Sequence, residues 1–146
     1  MKKITDPEIL EQEYQRFIEP LKINPAKLES LEESKDPEKS SEKEQLIKLI
    51  RLGLLVINDE NTAVFNIFDP VQYGEETINQ LTFRADTPTV SDIEKFGVGK
   101  SAMEKTRRIF SFLVVGKYPS AFFSKMKSDD LNNFAQIAAF FLPQSD

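Results

Sequence analysis

The sequence contains neither cysteine nor histidine. Without cysteine there is no disulfide frame, no thiolate nucleophile and no cysteine-ligated zinc. Without histidine the chain lacks the usual general base near neutral pH and the commonest transition-metal ligand. The usual zinc enzymes, cysteine hydrolases and Ser-His-Asp triads are therefore excluded. Carboxylate, lysine or tyrosine chemistry stays open, as does no chemistry at all. Long apolar runs are missing too. The longest mainly apolar stretches, residues 52–57 and 135–142, fall well short of the ~20 residues a membrane helix needs. The opening MKKITDPEIL has two lysines and no apolar stretch behind them, so no signal peptide is expected. Nor is there a basic surplus: 19 Lys and Arg stand against 24 Asp and Glu, for a net charge of −5. A general nucleic-acid binder must neutralise phosphates with clustered basic groups. The expectation is a soluble, cytoplasmic protein with neither a membrane nor a nucleic-acid partner.

What is present suffices for one core. The 146 residues are 40% hydrophobic and 10% aromatic, within the ~100–200 residues of an ordinary domain. Charge is uneven along the chain: residues 1–60 hold 10 basic and 14 acidic groups, and only Tyr14 and Phe17 among the aromatics. Residues 1–40 therefore read as an acidic helical arm and linker. Residues 41–146 read as the main unit, a helix, a β-meander and C-terminal helices. The expected fold class is α+β, a small antiparallel meander packed on a C-terminal helical bundle.

Local signals support that order. Asp6-Pro7, Asn24-Pro25 and Asp36-Pro37 mark helix starts, because an Asx side chain caps free amides and proline at the first position needs no donor. The first helix spans residues 7–18, and Pro20 stops it. Residues 30–45, charged and serine-rich, read as a linker or solvated surface with a tendency to disorder. Ser41 and Glu44 form a capping-box pair before the apolar residues 46–52, and Gly53 ends that helix. Residues 54–57 read as a strand and 58–61 as a turn. Residues 62–68 form a second strand with Ala63, Phe65 and Ile67 on one face, followed by a loop punctuated by Pro70 and Gly74. Residues 77–84 make a third strand with Leu81 and Phe83 inward. Thr89 and Asp92, then Ser101 and Glu104, resemble two further capping boxes. Asp129 and Asp130 follow Ser128 at the positive end of the last helix.

Chemistry-bearing motifs are weak. Gly97-Val98-Gly99-Lys100-Ser101 fails as a P-loop, since the first glycine of that motif falls on Glu94 and no buried strand precedes it. The acidic turn 58–61 lacks the glycine and terminal glutamate of a calcium loop. Residues 46–68 run helix, strand, tight turn, strand, similar to the end of a winged helix-turn-helix, but Asp59 and Glu60 in the turn repel phosphate. No carboxylate pair has an acid/base context. Catalytic, metal and cofactor sites are therefore not expected.

The last helix stands out. Ile137, Ala139 and Phe140 widen its apolar stripe, with Phe134 and Phe141, beyond the ~100° of an ordinary surface helix. Tyr118, Phe122, Phe123 and Met126 add a second apolar cluster. Two readings fit: both clusters are core, or they form a groove for an apolar helix of another protein. On the second reading Tyr118, Phe122, Phe123, Met126, Ile137, Phe140 and Phe141 are the partner-binding residues.

One ordered series is more specific. Asn66-Ile67-Phe68-Asp69-Pro70-Val71, Gly74-Glu75-Glu76-Thr77-Ile78, Leu81-Thr82-Phe83-Arg84 and Pro88-Thr89-Val90-Ser91-Asp92-Ile93 follow one another. The series resembles the tail assembly chaperones of Mu-like contractile-tailed phages. Their pattern is a strand ending in Pro-apolar, a glycine turn, an Ile-x-x-Leu-Thr-apolar-Arg strand and a Pro-Thr-x-x-Asp helix start. The residues carrying it are Pro70, Gly74, Leu81, Arg84, Pro88, Thr89 and Asp92, and it covers residues 62 to the end. The resemblance implies a non-enzymatic phage or prophage protein of the host cytoplasm, absent from the mature virion. It implies the tape measure protein as partner, the tail tube protein as a further one, and room for a homo-oligomer. On this reading the acidic arm separates complexes by charge or folds over the empty groove. The alternative is a regulatory or scaffolding interaction domain with a winged-helix-like middle.

Overall fold

The structure, a computed structural model, describes residues 3–34, 36, 38–84, 87–89, 91–92, 94, 102–116 and 118–142. The 97–101 hinge and the Ser101 helix start lie outside the described residues. So do Pro37, Val90 and Ile93.

Helix α1, Pro7–Ile18, begins where Asp6 Oδ1 accepts the Glu8 N–H at 2.9 Å. It runs into a 3-10 turn, Glu19–Leu21, at Pro20. Helix α2, Pro25–Glu32, is capped in the same way by Asn24. The charged stretch expected to be a linker is thus partly helical, because Leu31 sits on the inner face of α2 and is buried. Helix α3, Glu42–Arg51, starts at Ser41, whose Oγ accepts the Glu44 N–H at 3.1 Å. Gly53, at φ 80°, turns the chain out of α3 into the sheet.

Strands β1 (Leu55–Ile57), β2 (Ala63–Tyr73) and β3 (Glu76–Thr82) form the antiparallel meander in the order β1-β2-β3. The fold is α+β as the patterning implies. Strand β2 is longer than expected and runs through Pro70 as far as Tyr73. Asn66 pairs with Gln80 and Val71 with Ile78, so four residues of β2 lie opposite Asn79 alone. This is a large bulge. Proline is at home there because it has no N–H to give to the ladder. Gly74 then opens the two-residue turn into β3 at φ 65°, where glycine carries no Cβ penalty.

Three helices follow: α4 (Ala102–Leu113), α5 (Ser120–Ser124) and α6 (Ser128–Ala138). The chain leaving α4 pairs with the end of β3. Val115 N–H bonds Thr82 O and Arg84 N–H bonds Leu113 O, both at 2.8 Å. The inward strand residues Phe65, Leu81 and Phe83 meet α6 in one aromatic core. The Phe83 ring is stacked between Phe134 and Phe141, 4.9 Å from each.

Residues 1–40 contribute to that same core. Tyr14 and Phe17 of α1 are buried and pack edge-on against Phe140 at 6.2 and 5.6 Å. Lys27 of α2 donates from Nζ to Phe140 O at 3.1 Å and also to Leu142 O, a cation placed at the negative end of α6. Helix α6 therefore lies between the sheet and α4 on one side and the N-terminal helices on the other. That position buries Phe134, Ile137 and Ala138, while Ser128, Asp129 and Asn132 stay exposed.

Candidate functional site

The C-terminal rings do not form a groove. Phe122, Phe123, Ile137 and Phe140 are fully shielded, and Phe141 and Met126 nearly so. Phe122 contacts Tyr73 and Phe123, while Phe123 packs on Phe110 and Phe134. Tyr118 is half-buried, with its ring 4.9 Å from that of Phe122. These seven residues are corrected from partner surface to core and core edge. The C-terminal half carries more apolar surface than it covers itself, and α1 and the sheet cover the rest.

Opening that surface would be costly. Lifting α1 away would expose Leu10, Tyr14, Phe17 and Ile18, worth about 6–12 kcal/mol at the usual value per buried side chain. That equals the whole stability of an ordinary domain, about 5–15 kcal/mol. A partner displacing the arm would unfold the protein.

The residues of the ordered series fall in the sheet, in its hairpin turn and at a helix start. Pro70 is in the β2 bulge, Gly74 in the hairpin turn and Leu81 in the core. Arg84 lies over the Phe112 ring at 5.1 Å. After Pro88, Thr89 and Asp92 form a reciprocal capping box. Asp92 Oδ2 accepts from Thr89 N–H at 2.9 Å, and Asp92 N–H donates to Thr89 Oγ1 at 3.2 Å.

Within the same series the structure singles out Phe68. Its side chain is 74% exposed, the highest value among the large apolar side chains described. It projects from the bulge, whose N–H groups have lost their partners on β3. Asp130, buried at the start of α6, replaces them. Its carboxylate accepts Phe68 N–H at 2.9 Å and Asp69 N–H at 3.0 Å. Beside the ring is a cleft of about 360 Å³ lined by Leu54, Phe68, Lys127, Asp129 and Asn133. A buried carboxylate thus holds the bulge in the conformation that keeps an aromatic ring in water. Sequence reasoning missed Phe68 as a site residue, although the alternation Ala63, Phe65, Ile67 inward already places it outward.

Burial shifts two titrating groups. The Tyr14 phenol is pushed far up, first by burial and then by its 2.8 Å hydrogen bond to Glu32. Burial pulls the Lys27 ammonium down. Both lie in packing contacts. Among the described residues no group of three acidic side chains is gathered as metal ligands would be, and no helix is long and apolar enough to cross a membrane. Compared with models of protein families, with curated proteins and with solved structures, the chain matches none.

Proposed function

We propose that the chain is a phage or prophage tail assembly chaperone that binds the tape measure protein and keeps it soluble during tail assembly. The reading rests on the ordered series from Asn66 to Ile93. The observation that carries it physically is the Phe68 display, which lies within that series. An exposed aromatic ring fixed by a buried clamp is a ready anchor for an apolar partner, since aromatic residues dominate the energetics of protein interfaces. Exposed Met103 and Val115 add further apolar surface. The net charge of −5 keeps such a body apart from its copies. The partner surface is thus the outer side of the bulge, with the C-terminal rings as its support.

The test is co-expression with fragments of a phage tape measure protein. A fragment insoluble alone should appear in a soluble complex with the chain. A fragment that stays insoluble, with the chain itself soluble, contradicts the reading.

A second reading, a regulatory or scaffolding domain, is favoured by the order α3, β1, tight turn, β2 of a winged-helix middle. The exposed Asp59 and Glu60 at the tip of that hairpin direct it to a protein partner rather than to phosphate.

A further inference from the structure

Phe68 and its surroundings form a knob and a hole side by side. The ring, 74% exposed, stands out from the β2 bulge, and the Asp130 clamp fixes the backbone that carries it. The same ring is one wall of the cleft of about 360 Å³ between the bulge and the start of α6, with Leu54 and Asn133 among the other walls. An apolar cavity of about 150 Å³ already takes a benzene molecule. A second phenyl ring therefore has room beside the first.

The rim carries charge of both signs. Asp69 follows the ring on the bulge, and Lys127 and Asp129 stand on the facing lip, at the start of α6. All three are exposed. Among the described residues the ion pairs are Glu13–Arg16, Glu11–Lys43 and Glu104–Arg108. Neither Asp69 nor Lys127 is thus paired within its own chain.

We propose that a second copy of the chain covers Phe68, in a two-fold dimer in which each ring enters the cleft of the other copy. A two-fold axis brings a patch against itself, so that residue i of one copy meets residue j of the other and the reverse. A knob next to its own hole meets that condition, with the axis passing beside the ring and the two Phe68 rings in contact across it. The charges meet it too, because the axis sets Asp69 of each copy toward Lys127 of the other. An unrelated occupant would have to supply a knob, a hole and the reversed charges, and this chain already has all three. A contact made by one ring and its rim falls below the ~800 Å² per partner of a standard interface. The net charge of −5 also opposes association at long range. The dimer is therefore weak, and the dilute chain is monomeric. It covers the ring that the proposed function gives to a partner, so the two complexes exclude each other. That consequence rests on the tape measure reading, whereas the dimer does not.

Sedimentation of the full chain from about 5 μM to about 1 mM, with no partner present, tests the dimer. The mean mass should rise from that of the monomer toward that of a dimer and stop there, because a two-fold contact closes on itself. Phe68→Ser should stay monomeric throughout. Asp69→Lys and Lys127→Asp should each weaken the dimer at least about tenfold, since each change sets like charges face to face twice, once on either side of the axis. Both changes in one chain restore opposite charges, and should bring the dissociation constant back to within about threefold of wild type. All three positions are exposed, so the variants should keep the wild-type urea midpoint. Four results overturn the proposal: a chain still monomeric at about 1 mM, a mass that climbs past the dimer, a dimer that survives Phe68→Ser, or a double variant no tighter than either single one.

Discussion

The carboxylate of Asp130 accepts the backbone N–H of Phe68 at 2.9 Å, from 62 positions further along the chain. With its other oxygen it accepts the Asp69 N–H. One buried side chain at the start of α6 thus completes the hydrogen bonding of a bulge in β2 and fixes the direction in which Phe68 points.

Removing that clamp strands two donors. Asp130→Ala should lower stability by about 1.5–3 kcal/mol, the usual worth of a hydrogen bond to a charged group, because water reaches the exposed Phe68 and Asp69 and takes over part of both bonds. Asp130→Asn keeps one acceptor oxygen and should lose about half as much. Urea denaturation of the three proteins checks this, and an Asp130→Ala loss below about 0.5 kcal/mol, the level of an ordinary surface change, contradicts it.

The N-terminal helices are structural partners of the last helix. Phe17 and Phe140 should therefore be energetically coupled. A double-mutant cycle with Phe17→Leu and Phe140→Leu should give an interaction of about 0.5–1.5 kcal/mol, as for other edge-on aromatic pairs. A detached arm would give none.

Tyr14 makes stability depend on alkaline pH. Its phenol is pushed up by burial and by Glu32, so above the unfolded value of about 10 it ionises only in the unfolded chain. The unfolded state then binds fewer protons than the native state, and stability falls as pH rises. Lys27 acts in the opposite sense, its lowered value making stability rise with pH, but it is common to wild type and variant and cancels between them. Tyr14→Phe should cost about 1–2 kcal/mol near neutral pH through the lost hydrogen bond. That deficit should shrink steadily above pH ~10. Urea midpoints of both proteins from neutral to alkaline pH measure it, and a deficit unchanged across that range contradicts the assignment.

Much of this was legible in local signals. Asp6-Pro7 and Pro20 bracket α1 at its observed ends, because capping and proline chemistry act within a few residues. The alternation in β2 gave the inward set Ala63, Phe65 and Ile67 for the same reason. What escaped was non-local. Pro70 reads as a loop residue, and nothing near it shows that β2 continues beyond, since the acceptor that makes the bulge tenable is Asp130. The rings at Phe122, Phe123, Phe140 and Phe141 look like surplus until Tyr14 and Phe17 are known to lie against α6. The acidic composition of residues 1–40 concealed that two of its side chains belong to the centre of the core.

The soluble yield of a tape measure fragment co-expressed with Phe68→Ser, set against the wild-type chain, tests the functional account most directly. Phe68 is exposed, so the variant should keep its urea midpoint to within about 0.5 kcal/mol of stability. The account predicts that the fragment's soluble yield falls at least about tenfold, as expected for the loss of an anchoring aromatic. A folded Phe68→Ser chain that solubilises the fragment as well as wild type would contradict it.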